Sequence, residues 1–112
     1  MRHLSATELA EWLATTPVAG EPRLRPLLLD VREPWEYELC HLPGSLSVPM
    51  PFIPSRLAEL DAQAEIVLIC HHGVRSRQVA TFLERQGFGS LHNLTGGVDA
   101  WAREVDPAMH KY

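Results

Sequence analysis

Ile66-Val67-Leu68-Ile69-Cys70-His71-His72-Gly73-Val74-Arg75-Ser76 is the stretch whose reading decides the fold. Four consecutive apolar residues with no polar alternation read as a strand buried on both faces. The run ends at Cys70. From Arg75 to Gln86 the pattern turns helical, with Val79, Phe82 and Leu83 on one face and Gly87 as a C-terminal stop.

The same alternation extends outward in both directions. Leu27-Leu28-Leu29-Asp30-Val31 is a second short apolar strand, and Glu33 to Leu39 suits a short helix with Pro34 in its first turn. Pro43-Gly44 is a turn, and Leu46-Ser47-Val48 is a brief strand. Pro49, Pro51 and Pro54 punctuate the next segment, which leads to a helix through Leu57 and Leu60. Leu91 to Leu94 is a last strand, and Gly96-Gly97 opens a helix over Val98 to Arg103. At the other end, Ser5 and Glu8 have the spacing of a capping box, so a helix from about Ala6 to Ala14 packs through Leu9, Trp12 and Leu13. Thr15 to Pro26, with three prolines, reads as a loop, and Glu104 to Tyr112 shows no pattern. Strands alternating with helices imply an α/β fold, a parallel sheet covered on both sides. Ligands on such sheets sit beyond the carboxyl ends of the strands, where Cys70 lies.

The chain of 112 residues has the length of one domain, so 1–112 is expected to form a single unit. Net charge is −4 and no basic run stands out, which argues against a nucleic-acid partner. Glu8 and Glu11 break the only candidate apolar leader, and no apolar run approaches membrane-spanning length. Two cysteines without an export signal lead to the expectation of a cytoplasmic protein with reduced thiols and no membrane partner.

A thiolate, not a thiol, is the nucleophile, and positive potential is needed to form one near neutral pH. The loop from Cys70 to Ser76 can supply it in three ways. Its backbone N–H groups can curl round the sulfur, the following helix presents its N-terminus, and Arg75 adds a full charge. Gly73 can take the positive φ of a tight cradle, and Ser76 can cap the helix or donate to the thiolate. A lone cysteine at a strand end is more often packing than chemistry. The neighbours Gly73 and Arg75 shift that balance toward chemistry.

At these residues the sequence resembles the rhodanese family of sulfurtransferases. Cys70, Gly73, Arg75 and Ser76 match its Cys-x-x-Gly-x-Arg-Ser motif. Tyr37, His41, Leu42, Pro43 and Gly44 match a second signature, with Cys40 and Ser45 departing from the usual Gly and Ala. Asp30-Val31-Arg32 and Asn93-Leu94-Thr95-Gly96-Gly97, followed by Trp101, are similar to further family segments in the usual order. The resemblance implies a three-layer α/β/α sandwich with a five-stranded parallel sheet. It also implies transfer of sulfane sulfur from a donor such as thiosulfate to Cys70, then discharge to cyanide, a small thiol or a sulfur-carrier protein, with no cofactor. Two alternatives remain: a non-catalytic interaction module of the same fold, and a phosphatase or arsenate reductase. Those cousins place Arg six positions after Cys. Here Arg75 is five after Cys70, which makes a smaller cradle.

Other side chains receive milder expectations. His71, His72 and Val74 line the loop, with both histidines pointing outward round its mouth. Asp30 is expected to bond loop amides and Arg32 to pair with Glu36 or Glu38, both behind the site. His41 is expected to bond backbone, Cys40 to be a small buried filler rather than a resolving thiol, and Trp12, Trp35 and Trp101 to be core. Cys40, His41, Cys70, His71 and His72 match no common zinc spacing, so no metal is expected.

Overall fold

The computed structural model describes residues 1–15 and 25–112. Most of the expected Thr15–Pro26 loop therefore lies outside the described residues. Strands Arg2–Leu4 (β1), Leu27–Asp30 (β2), Leu46–Ser47 (β3), Ile66–Ile69 (β4) and Leu91–Leu94 (β5) form one sheet in the order β1-β5-β4-β2-β3. Every pairing in it is parallel. Helices Ala6–Ala14 (α1), Pro34–Leu39 (α2), Val74–Arg85 (α3) and Gly97–Glu104 (α4) complete the fold.

The expected parallel sheet is present, with the apolar runs at its centre. All four residues of β4 are buried, as a strand covered on both faces requires. Alternate residues divide the core into two layers. Val67 and Ile69 face Leu9 and Trp12 of α1 and Val98 and Trp101 of α4. Ile66, Leu68 and Cys70 face Val79, Ala80 and Leu83 of α3, together with Ile53 and Leu60.

Local chemistry accounts for the helix starts. At α1 the amide of Glu8 donates to Ser5 Oγ at 3.1 Å, and the amide of Ser5 donates to Glu8 Oε1 at 2.9 Å, closing the capping box. Pro34 occupies the first turn of α2. Three expectations change. The helix through Leu57 and Leu60 is a 3₁₀ helix, Pro54–Glu59, tightened by the prolines before it. Sequence gave no signal for β1, whose three residues pair with His92, Asn93 and Leu94 at a sheet edge. Trp35 is not core: it is 57% exposed, because α2 is a short surface helix whose one buried residue is Glu36.

Candidate active site

Cys70 stands one residue beyond the central strand β4 and is 1% exposed. The chain then turns through His71 and His72 to Gly73, which caps α3 at φ 103°. That turn aims the Gly73 amide at the sulfur, with N to Sγ 2.9 Å. Ser76, one turn into α3, places its hydroxyl oxygen 3.3 Å from the same sulfur. Gly73, not Ser76, is the helix cap, so Ser76 is free for the sulfur and for Asn93. Its hydroxyl donates to Asn93 Oδ1 at 2.5 Å, and Asn93 Nδ2 donates to the Gly73 carbonyl at 3.2 Å. β5 thereby holds the first turn of α3.

The other side of the loop is held by α4. The amides of Val98 and Asp99 donate to the carbonyls of Cys70 and His71 at 2.9 and 3.1 Å. Two of the four orphan donors at that helix start are satisfied by the loop itself. This approach passes directly over Gly97.

Arg75 departs from expectation. Its guanidinium does not stand as a free charge beside the sulfur. It grips Glu36 with two parallel bonds, Nη1 to Oε1 at 2.6 Å and Nη2 to Oε2 at 2.9 Å. Glu36 is buried, and the grip of Arg75 holds its carboxyl down at about 2 against the opposing effect of burial. Arg32 is likewise reassigned. It pairs with Asp30, not with the carboxylate of Glu36 or Glu38: Nη2 reaches Asp30 Oδ2 at 2.7 Å and Nε reaches Oδ1 at 2.9 Å. Its remaining donors go to the carbonyls of Cys40 and Glu36 and to the hydroxyl of Tyr112. Asp30 accepts the amide and guanidinium of Arg32, so its carboxylate does not hold the Cys70 loop.

Tyr112 links the two ion pairs and was missed from sequence. Its hydroxyl donates to Glu36 Oε2 at 2.6 Å and accepts from Arg32 Nη1 at 2.9 Å. Its ring stacks on His71 with centroids 3.8 Å apart and meets Trp35 edge-on at 5.8 Å. Burial and the bond to Glu36 push its phenol up to about 12. Under this ring His71 is half-buried rather than turned out, and burial, with His72 beside it, lowers its pKa. His72 is exposed, as expected. Replacing Tyr112 with Ala uncovers the His71 ring, so the His71 pKa is expected to rise toward the ordinary histidine value. An NMR titration of the ring protons reads this directly, and an unmoved midpoint refutes it.

The remaining expectations fall on both sides. His41 Nδ1 contacts the Tyr37 carbonyl at 2.8 Å, a backbone bond as expected. Cys40 is buried in the layer under α1 and α4, whereas Cys70 lies in the opposite layer, which suits a filler. Trp12 and Trp101 are core. Among side chains able to hold a metal, His71, His72 and Asp99 bring ligand atoms within 4.8 Å of one another, a set different from the Cys/His combination weighed on sequence. Asp99 Oδ2 already accepts from Arg103 Nε at 3.2 Å.

A family model described as Rhodanese-like domain matches residues 5–104. The chain belongs to the rhodanese-like family. Its relatives include a sulfurtransferase of Allochromatium vinosum, 42% identical over 83 residues, an alignment covering 74% of this chain and 78% of that protein. The "Probable adenylyltransferase/sulfurtransferase MoeZ" of Mycobacterium tuberculosis is 32% identical across 97% of this chain, but the match spans only 26% of that longer protein. A crystal structure of a rhodanese-like domain protein from Staphylococcus aureus superposes with a TM-score of 0.80, at 28% identity, over 94% of this chain and 95% of that one. The five-stranded parallel sheet with its helices is thus the rhodanese-like α/β fold, and the family includes sulfurtransferases.

Proposed function

We propose that the chain moves sulfane sulfur through a persulfide on Cys70. The observation that carries this reading is the pair of groups on the sulfur, the Gly73 amide at 2.9 Å and the Ser76 hydroxyl at 3.3 Å. With thiosulfate as donor, the Cys70 thiolate attacks the outer sulfur. One S–S bond forms, the sulfane sulfur–sulfonate bond breaks, and sulfite leaves with the electron pair. The Cys70 persulfide anion then gives its outer sulfur to cyanide, a small thiol or a sulfur-carrier protein and returns as thiolate, which is ping-pong covalent catalysis. Because Cys70 is 1% exposed, a terminal, unhindered sulfur suits its approach better than a tetrahedral phosphorus.

Ser76 has a definite part in the proton bookkeeping. While its hydroxyl donates to Asn93, its oxygen is left to accept from the thiol S–H. Once the sulfur is an anion, the hydroxyl serves it by turning to donate. Replacing Ser76 with Ala removes that charge-assisted bond, and sulfur loading is expected to slow by roughly tenfold to a hundredfold. Stopped-flow loading with thiosulfate measures it; an unchanged rate assigns Ser76 to structure alone.

The phosphatase alternative needs the loop arginine on the substrate oxyanion. Arg75 is engaged by both oxygens of Glu36, which disfavours that use. An inert interaction module of the same fold does not need a thiol with donors placed on it. Among the described residues no helix is long and apolar enough to cross a membrane. Site of action and partners beyond the sulfur donor and acceptor belong to the same proposal: cytoplasmic, with a small donor and either a small thiol or a carrier protein. Intact mass spectrometry after thiosulfate treatment tests the core of it. The expected result is a gain of one sulfur atom, absent in Cys70→Ser. No adduct from thiosulfate or other sulfane donors overturns the reading.

A further inference from the structure

His71 and His72 lie on the loop that leaves Cys70, and Asp99 lies in the first turn of α4. The amide of Asp99 donates to the His71 carbonyl at 3.1 Å, which sets loop and helix side by side. That contact also gathers their side chains. One ligand atom from each of His71, His72 and Asp99 lies within 4.8 Å of the other two. His72 Nδ1 stands 3.9 Å from Asp99 Oδ2. Bonds of about 2.1 Å place two ligands on one tetrahedral zinc about 3.4 Å apart. A small turn of the exposed His72 ring therefore closes the set.

Two of these side chains are steadied from behind, as metal ligands commonly are. His71 stacks under the Tyr112 ring and makes a hydrogen bond with the Tyr112 backbone. An imidazole has two ring nitrogens, so one bond to backbone leaves the other for an ion. Arg103 Nε donates to Asp99 Oδ2 at 3.2 Å and orients the carboxylate. The charge of Arg103 opposes a cation, but its side chain is 56% exposed and can swing into water. Lys111 lines the same groove as His71 and Asp99 and is exposed as well. Magnesium and calcium take oxygen ligands. Two imidazoles with one carboxylate suit a divalent transition-metal ion instead.

We propose that His71, His72 and Asp99 form a binding site for a divalent transition-metal ion of the zinc class. The ion ties the Cys70 loop to α4 at a third point, beside the amide-to-carbonyl bonds from Val98 and Asp99. Three protein ligands leave a fourth position for water. Asp99 lies 27 positions beyond His72, so no local spacing reveals the set. None of its ligands is a thiol, and the site stands apart from sulfur chemistry at Cys70.

The test titrates zinc into the full chain carrying Cys70→Ser, in competition with a chromophoric chelator. That substitution removes the site thiol as a rival ligand, and Cys40 is buried. One equivalent is expected to bind. Adding His72→Ala or Asp99→Asn removes a ligand and should weaken binding by about tenfold or more. Adding His3→Ala, on β1, should leave it unchanged, which separates the site from scattered histidines. Thermal unfolding gives a second reading: Tm should rise with zinc concentration, and Asp99→Asn should abolish the rise. Cobalt in place of zinc should give a visible spectrum of nitrogen and oxygen ligation without a sulfur charge-transfer band. No stoichiometric binding, a flat Tm, or binding that survives both His72→Ala and Asp99→Asn overturns the proposal. Displacement of zinc by excess magnesium overturns the assigned class of ion.

Discussion

Among the described glycines, Gly97→Ala is expected to be the most damaging alanine substitution. Gly97 has φ +56°, and a Cβ there would overlap the carbonyls of both Cys70 and His71. Those carbonyls accept the first amides of α4, so neither partner can withdraw without breaking the bonds that hold the loop. Left-handed backbone costs an alanine about 1 kcal/mol, and overlap with backbone in a packed region adds roughly 1–3 kcal/mol more. A loss on the order of 3 kcal/mol follows, a large share of the stability of a domain this size. Two other glycines separate the causes. Gly44 has φ +81° with open space around it, so its alanine variant should show the backbone cost alone. Gly89 has neither constraint, and its alanine variant should lie within about 0.5 kcal/mol of the parent. Urea unfolding of the three variants reads the series. Sulfur loading of whatever Gly97→Ala protein folds reads the loop, and loading at the parent rate would show that the α4 contact does not set the geometry at Cys70.

That contact also shows where sequence reading reaches its limit. The buried strand, the loop and α3 are consecutive, so local pattern reports them: apolar run, cysteine, glycine, helical spacing. Gly96-Gly97 was legible as a helix start, but its contact with Cys70 spans the turn from β5 to α4 and exists only once the sheet has formed. The same holds for charge. Arg75 and Glu36 are 39 positions apart, and no local spacing predicts their pairing. On sequence Glu36 and Glu38 are the nearby carboxylates expected to pair with Arg32. In the fold Asp30 takes Arg32 instead, because β2 ends by turning both side chains into one buried pocket. Tyr112 lies in a segment without periodicity. Its place is fixed by Glu36, Arg32 and His71, none within 40 residues of it, so no window on the chain could reveal it. Trp35 was misread for the opposite reason. A tryptophan in a short amphipathic stretch reads as core, while here the buried position of α2 is given to a carboxylate.

Glu36→Gln is expected to produce two opposite effects at once. The first is on stability. The carboxyl is held at about 2 in the folded chain against an ordinary value of 4.5, chiefly by Arg75 and then by Tyr112. A depressed carboxyl contributes stability that is fully present above pH 4.5 and is lost as pH falls through 2. The span corresponds to about 3 kcal/mol. Urea unfolding between pH 6 and pH 2.5 should therefore show the parent losing more free energy than Glu36→Gln, and parallel curves would refute the assignment. The second effect is on the site. Glutamine keeps the size of the side chain but removes its charge, so Arg75 is left uncompensated on the turn that carries Cys70. Potential at the sulfur becomes more positive, which favours the thiolate and attracts a dianionic donor. Alkylation of Cys70 by iodoacetamide at pH 7 should accelerate, and the KM for thiosulfate should fall, in a protein that is less stable. A general loosening of the fold would raise alkylation too, but it would not tighten thiosulfate. Faster alkylation with lower KM therefore identifies Glu36 as the group that keeps the charge of Arg75 from the reacting sulfur. Unchanged alkylation would assign control of the sulfur to the Gly73 amide and the Ser76 hydroxyl alone.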